Sequence, residues 1–199
     1  MKHEKPLYSL VPFEDFKTLL NLDDRDDKLI RFCLVSSTYS IEQYCRRRLT
    51  YKKHFELLQY HGEWALPLRE YPVAEVLAVF AYGYGGSEMM EHELYELRPE
   101  CESGLDIQGS LILSAAFRRF KNLTDIKVVY NAGYKRAHVP PDLASACLEL
   151  AWWKMNRYKT KRVGMTGNVR ANGKDGEYFE LSMPENVRGL LESYKRRVI

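Results

Sequence analysis

The sequence predicts an α+β fold, and two observations carry that reading. Apolar residues recur at three- and four-residue steps over 26–47 and again over 141–159, the period of a helix with one buried side. Between 50 and 130 the period falls to two, interrupted by glycine and proline, which is the pattern of short strands joined by turns. Helix, then strands, then helix is an α+β order.

The first element is a short helix over 12–20, with Phe13, Phe16, Leu19 and Leu20 at helical spacing. A polar break over 21–27 holds four aspartates. Asp26 or a neighbour is placed to cap the next helix and to favour its positive end. That helix spans about 26–47, and Leu29, Ile30, Cys33, Leu34, Ser37, Ile41, Tyr44 and Cys45 mark its face. Ser36, Ser37 and Ser40 are small enough to admit another element closely. Arg46-Arg47-Arg48 closes the helix, where cations suit the negative end of the dipole.

Strands are predicted over 51–60, 64–68, 76–82, 94–97, 110–113 and 126–130. Gly83-Tyr84-Gly85-Gly86 reads as a hairpin turn. It is not a phosphate loop, because no Gly-x-x-x-x-Gly-Lys-Ser/Thr string and no strand–GxGxxG–helix unit exists. Pro140-Pro141-Asp142 opens the second long helix, over 141–159: proline suits its first position and aspartate its first turn. Leu143, Cys147, Leu150, Ala151 and Tyr158 form one apolar stripe; Leu148, Trp152 and Met155 form another. Ser145, Glu149 and Asn156 leave only a narrow polar strip. Such a helix is either central in its own fold or shared with a neighbour. Residues 161–183 are broken by glycines and asparagines, and a loop of that length is expected to be functional or mobile. Pro184 starts a last amphipathic helix, over 184–197, with Val187, Leu190, Leu191 and Tyr194 on its apolar side and a basic end. Three parts follow: an N-terminal segment over 1–25, a core over 26–159, and a loop with a docking helix over 160–199.

The chain has 199 residues, enough for one domain with a real core or two very small ones. A net charge of +3 demands neither a nucleic acid nor an acidic membrane. The 14 Tyr, 8 Phe and 3 Trp lean toward protein interfaces, since Tyr and Trp join an apolar body to a polar tip. The first ten residues are polar and charged, so no signal peptide or membrane span is expected, and a cytoplasm is the expected site of synthesis. Cys33 and Cys45 share a helix about 18 Å apart, too far for a disulfide. Buried free thiols are the expectation for all four cysteines. The five histidines show no ligand spacing, so no metal and no cofactor is expected. No nucleophile elbow or carboxylate pair stands out, and no enzyme is read from the chain. Basic clusters at 46–48, 118–121, 159–162 and 195–197 keep a nucleic-acid-binding module as the alternative.

Several strings occur together in one order. They are Ile41-Glu42-Gln43-Tyr44-Cys45-Arg46-Arg47 at a helix end, and Tyr71-Pro72-Val73 followed by Val76. Then come 128–133, 139–143, Ala146, Glu149-Leu150-Ala151 and Trp153, and Gly164 after a basic stretch. Last is a Pro-x-x-Val-x-x-Leu-Leu-x-x-Tyr-Lys-Arg-Arg tail from Pro184. Together they resemble the head–tail connector (adaptor) proteins of tailed bacteriophages and prophages. The resemblance covers most of 26–197, leaves 1–22 outside, and meets a longer 83–125 region than the smallest members have. It implies a bundle of long helices with a small antiparallel sheet inserted and a C-terminal arm. It implies a virion structural protein, assembled in the bacterial cytoplasm, that closes into a dodecameric ring on the portal protein. Such a ring would pass DNA without reading its sequence and would offer a surface to a head-closure or tail protein. The contact residues expected on this reading are Trp152, Trp153 and Met155 between subunits. Val187, Leu190, Leu191 and Tyr194 would form the docking side of the tail, with Arg196 and Arg197 at its rim. A tail that simply covers its own core is the plain alternative.

Overall fold

The computed structural model describes residues 9–83, 86–99, 109–119, 123–160 and 183–196. The chain divides into two compact units, one from 1–46 with 136–199 and the other from 47–135. The first is helical and the second is antiparallel β, so the α+β class holds. The bundle of long helices does not. Among the described residues there are four α-helices, two of 19 residues and two of only 7.

In the helical unit, α1 (Phe13–Leu19), α2 (Asp27–Cys45), α3 (Pro141–Lys159) and α4 (Glu185–Leu191) bury one face each. The short helices stop for local reasons. Just beyond α1, Asn21 takes a left-handed φ of 47°. After α4 the chain makes a 3-10 turn over Glu192–Tyr194 and then extends at Lys195. That extension lets the Arg196 N–H donate to the Cys45 carbonyl at 2.8 Å, satisfying an end of α2 that would otherwise lack an intrahelical donor. Asp26 stands before α2 but makes no side-chain cap bond. Its carboxylate pairs with Lys159 instead. The serines of α2 do admit α3 closely. The half-buried Lys154 ammonium lodges there, donating to the Ser36 carbonyl at 2.8 Å, the Ser36 hydroxyl at 2.9 Å and the Ser40 hydroxyl at 2.8 Å. Burial holds this ammonium below the usual lysine value, against smaller upward effects of Cys33 and Cys147. Cys33, Cys45 and Cys147 are buried free thiols, while Cys101 lies outside the described residues.

The β unit holds β1 (Lys52–Gln59), β2 (Ala65–Pro67), β3 (Val73–Gly83), β4 (Gly86–Met89), β5 (Tyr95–Pro99), β6 (Gly109–Leu113) and β7 (Leu123–Ala132). They make a four-stranded sheet in the order β1-β7-β3-β4 and a three-stranded sheet in the order β2-β6-β5. All pairings within the sheets are antiparallel. One core joins the two sheets, with Val79, Ile126 and Tyr130 from the larger and Leu66, Leu111 and Leu113 from the smaller. Every predicted strand is present. β4 was not predicted; its four residues are all exposed and carry no alternation of burial. The hairpin reading of the glycine break agrees with Gly83 facing Gly86 in the ladder.

Entry to and exit from this unit are fastened side by side. The Tyr134 N–H donates to Leu49 O at 2.7 Å, and the Tyr51 N–H to Tyr134 O at 3.1 Å. Gly133 has φ +98°, and a Cβ there would come within 2.6 Å of the Thr50 backbone, so only glycine fits. Arg47 does not serve the α2 dipole. It is buried, its guanidinium lies 3.9 Å over the Tyr71 ring, and it donates to Tyr71 O at 2.9 Å. The Tyr71–Pro72 peptide is cis.

Candidate functional site

The feature that calls for a functional account lies on β1. Its residues alternate, but with the large apolar side chains facing out. Phe55 is 65% exposed and Leu57 64% exposed, while Glu56 between them is buried. A slip of one residue would exchange the two faces. The register is held by the buried carboxylate. Glu56 accepts the Tyr130 hydroxyl at 2.8 Å and the Arg69 N–H at 3.0 Å, with the Arg69 guanidinium at 3.5 Å. Tyr130 also accepts the Glu70 N–H at 3.2 Å and stacks against His54. Burial, helped by the Glu56 charge, pushes its phenol far above the ordinary tyrosine value. Leaving Phe55 and Leu57 in water forgoes roughly 1.5–3 kcal/mol per side chain. A local rule broken at such a cost marks a functional surface.

The ladder registers extend that surface. Leu57 faces Lys127, Lys127 faces Phe80, and Phe80 faces Met89, giving one row across all four strands. The Lys127 ammonium lies 5.9 Å from the Phe55 ring centroid and 6.0 Å from that of Phe80; Lys53 lies 5.4 Å from Phe55. A concavity of about 420 Å³ opens here, lined by Phe55, Leu57, Tyr82, Asp125 and Lys127 together with Glu56. An exposed apolar patch with a central cation is a candidate interaction surface.

The helical unit holds the residues picked out from sequence. Trp152 is 40% exposed. Trp153 is partly covered, with the Arg157 guanidinium 4.6 Å from its ring. Met155 is fully buried within α3's own unit. Of the tail residues, Val187, Leu191 and Tyr194 are buried where α4 packs on α3, and Leu190 is partly buried. The Tyr194 hydroxyl donates to Asp142 at 2.5 Å. In this conformation Met155, Val187, Leu191 and Tyr194 are closed inside their own unit. The tail covers its own core in this conformation. Arg196 is partly exposed, and Arg197 and the glycine-rich loop over 161–182 lie outside the described residues. The structure does not bring the Trp pair and the tail's apolar side together as one exposed patch. Sequence reasoning missed Phe55, Leu57 and Lys127, and the available signal was Phe-Glu-Leu alternation with a carboxylate where a core residue belongs.

Several basic residues have internal partners: Arg47 with Tyr71, Lys159 with Asp26, and Lys195 with Glu192. No group of three His, Cys, Asp or Glu among the described residues could hold a metal ion. No helix among them is long and apolar enough to cross a membrane.

Three solved structures are similar over nearly the whole chain. The fold is shared with chains of gene transfer agent particles. A chain in the neck of an empty particle, computed with C6 symmetry, matches at TM-score 0.62 and 19% identity, covering 96% of this chain and 91% of its own. A chain in the virion of a native particle matches at TM-score 0.61 and 18% identity, with 100% and 95% covered. A chain in the neck of a native particle, computed with C12 symmetry, matches at TM-score 0.56 and 18% identity, with 98% and 92% covered. No family model matches the chain, and no curated protein matches it.

Proposed function

We propose that this chain is a structural subunit of the neck of a phage-like particle. Identical copies form a ring at the portal vertex and join the DNA-filled head to a head-closure or tail protein. The observation that carries this reading is the fold shared with gene transfer agent neck chains over more than nine-tenths of both partners. The two necks were computed with C6 and C12 symmetry, and a ring of twelve copies is compatible with both. Two exposed surfaces support an assembling subunit: the outward apolar row of the four-stranded sheet and the Trp152 side of α3. The role is mechanical rather than catalytic, and DNA passes the ring without sequence-specific contact.

The test is made on particles. Deleting the gene should leave filled heads without tails, and restoring it should return a ring visible by electron microscopy at the head–tail junction. Tailed, infectious or gene-delivering particles from the deletion strain would sink the reading. The W152A/W153A double variant tests the α3 surface. Trp152 is exposed and Trp153 only partly covered, so the variant should stay folded by circular dichroism yet fail to enter particles. Normal incorporation would remove these two residues from the contact.

A further inference from the structure

We propose that the concavity on the outer sheet face receives the Trp64 indole of a second copy of this chain, with that copy's Glu63 carboxylate against Lys127. The proposal deepens the neck-subunit reading and rests on it for the closure of the ring.

The donor side is an exposed tryptophan on a turn with its own internal hydrogen bond. Trp64 is 64% exposed on the turn between β1 and β2. Gly62 takes φ +98°, which side chains other than glycine adopt only with strain. The Glu63 carboxylate accepts the His61 N–H at 2.8 Å, so the turn is fastened before any partner arrives. A knob held in its bound shape loses little entropy on docking. Those backbone hydrogen bonds also hold the Glu63 carboxyl below the usual value, and it stays charged through the neutral range.

The receiving side matches in size and in charge. At about 420 Å³ the concavity lies in the range of sites that bury a small aromatic group. Phe55, Leu57 and Tyr82 supply apolar walls. Lys127 offers an ammonium to the Glu63 carboxylate, and Asp125 offers an acceptor to the indole N–H, the one donor a tryptophan must satisfy on burial. Trp64 precedes a strand of the smaller sheet, whereas the concavity lies on the larger one. Knob and socket are therefore different surfaces of the same unit. Where two copies do not reciprocate it, such a contact is heterologous: it repeats head to tail, and it closes into a ring when the rotation allows.

The experiment is zero-length carboxylate–amine coupling with carbodiimide, on a mixture of isotope-labelled and unlabelled full-length chains. The expected product is a Glu63–Lys127 linked peptide pair carrying one labelled and one unlabelled half. W64A leaves both coupling groups in place and should lower the yield about tenfold, equivalent to about 1.4 kcal/mol of contact. F55A, at a second exposed site, should do the same from the socket side. Absence of the mixed-label product, or an unchanged yield in both variants, overturns the proposal. Recovery of the chain in purified particles is read separately. Coupling without particle entry would sink the neck reading and leave the contact standing, and particle entry without coupling would do the reverse.

Discussion

Glu56 decides which face of β1 is buried, and it does so through partners far away in sequence. Its Oε2 accepts from the Tyr130 hydroxyl and the Arg69 N–H, while Oε1 faces the Arg69 guanidinium at 3.5 Å. Removing it leaves the Tyr130 hydroxyl without its acceptor in the core. E56A should therefore cost about 1–3 kcal/mol in urea denaturation, the range for losing a buried hydrogen bond to a charged group. A midpoint unchanged from wild type would show that the register is held by something else. The buried thiols set a second expectation. Burial pushes Cys33 and Cys147 up to about 11 from an ordinary 9.0. Between those values the unfolded chain holds fewer protons than the folded one, so this stability is complete below pH 9.0 and is lost as pH rises toward 11. The depressed Lys154 works in the opposite direction over the alkaline range, so C33A/C147A is the variant that isolates the thiols. It should flatten the fall in urea midpoint between about pH 8 and about pH 10.5. The same two thiols should react with a thiol reagent only as fast as the chain opens.

At the scale of the element, α4 packs as a closing piece on its own unit in this conformation. Val187 and Leu191 are fully buried, and Tyr194 is nearly so and donates to Asp142. The chain then reaches back to α2, where Tyr44 donates to Glu192 at 3.2 Å and Lys195 lies over the Tyr44 ring. Deleting 184–199 should thus lower stability by several kcal/mol, about 2 for each large side chain returned to water. A thermal melt reads it: an unchanged melting temperature would restore the docking-arm reading. The periodicity of α4 showed that one side is apolar, but period alone does not say which surface covers that side. The long helices were legible for a simpler reason. Over 19 residues a 3.6-residue period is sustained, and proline at the start of α3 fixes one boundary. The strands were legible by alternation, and β4 was not, because a short exposed edge strand has no buried face to declare itself. The outward face of β1 was hidden for a different reason. Alternation shows that two faces exist, while the choice between them rests on Glu56 meeting Tyr130, 74 residues away. Trp152 was legible as excess apolar surface on a helix already carrying one full stripe.

At the scale of the whole molecule the chain is one unit interrupted by another. The β unit is continuous over 47–135, and its two ends are tied together by the Leu49–Tyr134 and Tyr51–Tyr134 hydrogen bonds. It has its own core of Leu66, Val79, Leu111, Ile126, Val128 and neighbours. A fragment of 47–135 should therefore fold alone and give a dispersed amide spectrum by nuclear magnetic resonance. A collapsed, poorly dispersed spectrum would show that it needs the helices. The helical unit is split in sequence: α2 precedes the β unit, while α3, which packs on it, and α4, which packs on α3, follow it. On a ribosome that difference becomes an order of events. The β unit is complete as soon as residue 135 clears the exit tunnel, while α2, made earlier, still lacks the partners for its apolar side. The residues that seal it, α4 and the turn after it, emerge later than the whole β unit. A nascent chain of this protein thus carries a complete β unit and an unfinished helical unit until α3 and α4 have emerged.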